Sequence, residues 1–336
     1  VKDLARDILG PPPWTDEKLT EAYSADFIGI FRAIHIHAGY RPHAELETLA
    51  LSMRLFDRAV ESLKEAVEAF RLHSQERGFR TRASGDMTEQ TILAVQSALF
   101  QVATTAGAYQ ARAKTLSGRI TVPDFKKRVD ATFTNSERHL FVQDLRNHLS
   151  HVAPLEAEWE LSRPGRHSPQ IARFLLFVDD LTDAATGGRK GWDKAALRFI
   201  EKHRRSQHNQ GGEIDVVTLF DDYAEQLHDF HTWLVPAAEA AAGVPLNDYR
   251  DSERRVYRIA TRIGWKALII PSLTHNPRAV LDARLTPSEI ALLNTMPSGS
   301  PEQVNQLITF IDNAEYEFVD SDIRAAIFQA FGLSAG

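Results

Sequence analysis

Two unbroken apolar stripes constrain this chain more than any other feature. Between Ala44 and His73 the apolar residues fall at Leu46, Leu49, Met53, Phe56, Val60, Leu63, Val67 and Phe70, in steps that alternate three and four. A strand repeats every second residue, so only an α-helix of about 30 residues puts all of these on one face. Ile92, Val95, Leu99, Val102, Ala106, Tyr109, Ala113 and Leu116 repeat the spacing, and Gly118 stops it. Residues 74–87 collect Gly, Arg, Ser and Asp and read as a loop, with the second helix starting near Thr88. A third helix is expected from Pro123, a residue suited to a first turn, through Phe125, Val129, Phe133, Leu140, Leu145 and Leu149 to about Val152. A fourth runs from about Glu213 to Ala241 on Val217, Phe220, Ala224, Leu227, His231 and Leu234.

Long helices with narrow stripes and short links pack as an up-and-down bundle, so the expected fold class is mainly α. A β-hairpin is expected within it: Ala157–Ser162 and Ile171–Val178 read as extended, and the Pro- and Gly-containing stretch 163–169 between them reads as a turn. A Gly-rich loop, Thr186–Gly191, leads to a short helix over Trp192–Arg205. From Trp265 onward, Pro271, Pro277, Pro287, Pro297 and Pro301 cut the chain into short pieces, and Thr286, Pro287 and Glu289 form a helix start. The expected organisation is an N-terminal segment 1–43 docked on the bundle, a bundle with hairpin over 44–264, and a small C-terminal helical appendage over 265–336.

Composition excludes several chemistries. Cysteine is absent, which removes disulfides, thiolate nucleophiles, Cys-based zinc sites and Fe–S clusters. The 39 Lys and Arg against 45 Asp and Glu give a net charge of −6, so nucleic acid would have to be held by a local basic site and not by bulk charge. No stretch reads as a signal peptide or a membrane span, and the expected location is cytoplasmic, with no membrane partner. No P-loop, G-x-G-x-x-G, G-x-S-x-G or H-E-x-x-H pattern occurs.

What remains is Leu145-Arg-Asn-His-Leu-Ser-His151, late in the third long helix. Two other Arg-x4-His spacings occur, Arg32/His37 and Arg198/His203, but Ala33 and Phe199 follow those arginines. Arg146, Asn147 and His151 resemble the R-x(4–6)-H signature of the HEPN superfamily, in which a polar residue commonly follows the arginine. That resemblance covers about 44–241. It implies a helical-bundle, metal-independent endoribonuclease of the toxin–antitoxin or phage-defence kind, with RNA as substrate, no cofactor, a homodimeric cleft and an antitoxin or regulatory protein as a possible partner. In that chemistry a 2′-hydroxyl attacks the adjacent phosphorus. His151 is the general acid/base, Arg146 steadies the phosphoryl oxygens, and Asn147 orients His151 or contacts phosphate. The alternative is a non-catalytic HEPN-like helical module that dimerises and binds a protein partner or a nucleotide.

On a straight helix, with Leu145 taken as the core direction, Leu149 and Val152 fall beside it. Asn147, His151, Asp144 and His148 lie at about 200°, 240°, 260° and 300°. Arg146 stands roughly 140° from His151, so either the helix loosens before Pro154 or two subunits supply the pair to a shared cleft, the arrangement that the HEPN resemblance implies. Asp144 and His148 are secondary candidates. With His151 they could also form a metal-binding face, although no second helix offers matching ligands and none is expected to be bound. His231 lies on an apolar stripe and reads as a buried, hydrogen-bonded histidine. The basic stretch Arg77–Arg82 reads as solvated surface or an RNA-guiding loop.

Overall fold

The computed structural model describes residues 4–75, 85–151, 157–162, 171–187, 192–204, 212–273, 276–312 and 317–334. Helices α1 (Leu4–Leu9), α2 (Asp16–Ala25) and α3 (Gly29–Ala33) precede the long α4 (Tyr40–His73) and α5 (Gly85–Ser117). Then come α6 (Phe125–Val129), α7 (Glu137–His151), β1 (Ala157–Ser162), β2 (Ile171–Phe177), α8 (Val178–Gly187), α9 (Lys194–Arg204), β3 (Glu213–Asp215) and α10 (Val216–Gly264). The chain closes with α11 (Ile270–Ser272), α12 (Pro277–Asp282), α13 (Pro287–Leu293), α14 (Pro301–Ile311) and α15 (Ser321–Ala330). It is mainly helical, and it forms two compact units: residues 44–242, and residues 1–43 together with 243–336.

The first unit is a bundle whose directions follow from its side-chain pairs. On α4 and α10, Asp57 meets His228 at 2.9 Å and Lys64 meets Asp221 at 2.8 Å, so one helix rises as the other falls. Ser136 and Arg138 meet Gln226 and Asp222 in the same opposed sense, which sets the start of α7 antiparallel to α10. Arg119, just past the end of α5, reaches Glu45 at the start of α4, 2.7 Å away. The stripe residues lie inside: Leu49, Phe56 and Leu63 from α4, Val95, Val102 and Tyr109 from α5, and Phe220, Leu227 and Leu234 from α10. Each such side chain contributes about 1.5–3 kcal/mol by leaving water. An 18-residue stretch within Glu89–Ser117 reaches a mean hydropathy of 1.2, enough by length and composition to cross a membrane. In the bundle, Gln101, Thr104, Arg112 and Lys114 of that helix are exposed opposite its buried stripe.

The third expected helix is not continuous. After α6 the backbone widens into a π turn over Asp130–Thr134, with Asn135 N–H donating to the Asp130 carbonyl at 2.8 Å. Ser136 Oγ then accepts from His139 N–H at 3.2 Å and starts α7 afresh. The Gln226 side chain of α10 donates to the Thr132 carbonyl and to Ser136 Oγ, holding the break from outside. Leu145 is fully buried but Leu149 only partly so, which corrects the expectation that both line the core.

The hairpin forms as expected, with β1 and β2 antiparallel from Ala157 opposite Leu176 to Ser162 opposite Ile171. Its expected turn, 163–169, lies outside the described residues. A third strand, β3, joins β2 at Leu175 and Phe177 where a helix start was expected, and α8 follows β2 directly. Neither element has a long enough pattern to signal itself. Trp159 of β1 stacks on Phe70 of α4 at 3.5 Å and meets Phe174 of β2 edge-on.

In the second unit, residues 1–43 do not belong with the bundle. Leu9, Trp14, Leu19, Ile30 and Ile34 bury themselves with Tyr249, Val256 and Ile259 of α10, and Asp16 binds Arg255 and Arg258. The expected boundary at 264 lies instead at Gly243, where φ 60° and ψ −144° interrupt α10. Such angles are open essentially to glycine alone, so the apolar stripe continues past a point where the backbone turns. The segment from Trp265 onward packs Leu281, Leu293, Leu307, Ile327 and Phe328 about its own core. The Thr286 and Glu289 capping box forms at the start of α13.

Candidate functional site

Helix α7 is set between two neighbours. On one side α9 runs antiparallel to it: Glu137 binds Arg198 and Lys202, Phe141 stacks on Phe199 at 4.9 Å, and His148 meets Trp192 edge-on at 6.0 Å. On the other side lies α5. A methyl group built on Gly107 would stand 2.6 Å from Arg146 Nη1 and 3.6 Å from its Cζ, so the guanidinium lies against the bare backbone of α5. Seven residues further along α5, the charge of Lys114 acts on His139, seven residues earlier along α7. The bundle pairs give the same direction: α5 and α10 both run opposite to α4, and α7 runs opposite to α10, so α5 and α7 are antiparallel, with Gly107 against Arg146 and Lys114 level with His139.

Arg146 is partly buried, and its Nη2 donates to Asn147 Oδ1 at 2.9 Å. Asn147 thus steadies the guanidinium, and its side-chain oxygen is engaged by Arg146. No carboxylate among the described residues pairs with Arg146. His151 is the last residue of α7, and its side chain lies outside the described residues.

Asp144 and His148 are occupied by the fold. Asp144 Oδ2 accepts from the backbone N–H of Asp193 at 2.6 Å, just ahead of α9. His148 is buried, 8% exposed, and burial holds its pKa below the ordinary imidazole value. Of the face expected to turn outward, His148 is therefore covered by Trp192 of the same chain, while Asp144 stays half-exposed with one carboxylate oxygen on the Asp193 N–H. The physical reason is that α9 is itself amphipathic and buries Ala195, Ala196, Phe199 and Ile200, so it closes over α7.

The bundle also buries polar groups near Arg146 that belong to no sequence motif. His139 is 3% exposed, and its Nδ1 lies 2.6 Å from Tyr223 Oη. Its Nε2 is buried without a hydrogen-bond partner. Burial first, then the positive charges of Lys114 and Arg146, push its pKa down to about 4. Tyr109 and Tyr223 are fully buried, and burial raises both phenols. Tyr109 Oη lies 3.2 Å from His231 Nδ1, so His231 is hydrogen-bonded as expected, although only partly buried. The signal for His139 was its seven-residue offset from Arg146, which returns to the same line on a helix. Gly107 and Tyr223 carry no such mark.

No group of three or more His, Cys, Asp or Glu able to hold a metal ion occurs among the described residues. The expected basic loop Arg77–Arg82 lies outside them. No family model, no curated protein and no solved structure matches this chain.

Proposed function

We propose that the 44–242 unit is a metal-independent endoribonuclease of the HEPN type. The observation that carries this reading is the Arg146 guanidinium, held by Asn147 without a carboxylate partner among the described residues, on the last turns of a bundle helix that ends at His151. Guanidinium offers a planar fork of donors to phosphoryl oxygens, and imidazole titrates near neutral pH. The 2′-oxygen attacks phosphorus, the P–O2′ bond forms and the P–O5′ bond breaks. The products are a 2′,3′-cyclic phosphate and a 5′-hydroxyl. His151 accepts the proton of the 2′-hydroxyl and returns one to the departing 5′-oxygen. Arg146 stabilises the charge that builds on the non-bridging oxygens. Asn147 fixes the guanidinium, and Asp144 and His148 take no part in the chemistry.

Incubating total RNA with the full chain in EDTA tests the reading. Cleavage that disappears in His151→Ala and in Arg146→Ala, with 2′,3′-cyclic ends on the fragments, supports it. Intact RNA favours the non-catalytic helical module. Growth arrest on expression, dependent on the same two residues, would mark a toxin or phage-defence effector.

A further inference from the structure

We propose that the seam between α5 and α7 is a phosphate seat, in which Gly107 and Lys114 of α5 act together with Arg146 of α7 on an RNA phosphodiester. The seat rests on the ribonuclease reading only in taking RNA as the source of the phosphate.

Three observations carry it. The first is geometry. Gly107 is the position where the Arg146 guanidinium rests on bare backbone, since a Cβ there would meet Nη1 at 2.6 Å. Any side chain would push the guanidinium away. The second is charge. Glu137 and Asp222 engage the nearby cations Arg198, Lys202 and Arg138. Arg146 and Lys114, by contrast, have no carboxylate partner among the described residues. They lie along one seam, seven residues or about 10 Å apart on the helix axis. The third is an unsatisfied interior. His139, on which both charges act, keeps a buried Nε2 with no partner, although it is only 3% exposed. Leaving such an atom unpaired costs about 1–3 kcal/mol. A phosphate bound by Arg146 and Lys114 would offset both charges where they now act on His139. A chain of net charge −6 binds a polyanion through a local seat of this kind.

The test uses the full chain carrying His151→Ala, so that RNA remains uncut, with a labelled oligoribonucleotide titrated at several salt concentrations. Lys114→Gln and Gly107→Ala are made in that background. Lys114 is exposed, and alanine favours a helix over glycine, so both variants keep the fold. Each is expected to weaken RNA binding about tenfold, the loss of one charge-assisted contact. Lys114→Gln should also flatten the salt dependence by about 0.7 in the log–log slope. Inorganic phosphate should compete with RNA and shift the His139 ring resonances, less so in Lys114→Gln. Parent-like RNA affinity and slope in both variants overturns the seat, as does a phosphate response with no effect of either variant on RNA. The two readings fail separately. If the His151-containing chain leaves RNA intact while both variants still weaken binding, the ribonuclease falls and the seat stands. If it cuts RNA with an unchanged KM in both variants, the seat falls and the ribonuclease stands.

Discussion

Arg146 and Gly107 are a matched pair across two helices: the guanidinium of one occupies the space that any side chain on the other would fill. Since Asn147 holds the same guanidinium from its own helix, the cation is fixed from two directions. The consequences divide into those for chemistry and those for folding.

Arg146→Ala and Arg146→Lys should both abolish RNA cleavage. A lysine ammonium lacks the planar fork and cannot keep the contact to Asn147 in the same orientation. Because Arg146 is only partly buried, both variants should melt within about 0.5 kcal/mol of the parent. Cleavage assays beside thermal melts check this. Parent-like activity in Arg146→Lys would reduce the residue to a general positive charge.

His148→Ala should behave in the opposite way. It removes a buried ring packed on Trp192, so a loss of about 1–3 kcal/mol is expected, with activity per folded molecule retained. Leu145→Ala, at a fully buried position, should cost about 2–5 kcal/mol, and Leu149→Ala clearly less, since it is only partly buried. Denaturant titrations rank the three. An inactive but stable His148→Ala would return that residue to the chemistry.

His139 makes stability depend on pH. Its folded pKa, about 4, lies below the ordinary 6.5, so the unfolded chain binds the proton more readily. The stability contributed by the neutral ring is therefore complete above pH 6.5 and is lost as pH falls from 6.5 towards 4. The gap corresponds to about 3 kcal/mol. Urea titrations from pH 7.5 down to pH 4.5 should show this decline, and His139→Gln should flatten it. An equal slope in the variant would mean that His139 is not the group responsible.

Gly243→Ala should destabilise the chain by about 1–3 kcal/mol through the backbone alone. Nothing lies within 4 Å of the Cβ it would add, and φ is +60°. Gly264→Ala, which also has open space around its Cβ but lies in an ordinary helical conformation, serves as the control and should be neutral or stabilising. Comparing the melting temperatures of the two variants isolates the backbone effect.

Features whose information is local were legible in the order of the residues. The 3–4 stripes of α4 and α5, the two short extended segments at 157–162 and 171–177 flanking a Pro- and Gly-containing stretch, and the Thr286–Glu289 cap are patterns contained within one segment. Features that need a partner from elsewhere in the chain came only with the packing. Three residues of β3 become a strand only because β2 offers an open edge. The extended third helix divides at Asn135 because Gln226, on a different helix, satisfies the broken ladder. His148, polar on a helical wheel, is covered because Trp192 and α9 close over it, Asp144 is tied to the Asp193 N–H just ahead of α9, and Arg146 keeps its orientation because a glycine sits opposite on α5. A helical wheel fixes the angle of a side chain about its own axis; what meets it at that angle depends on how the chain returns.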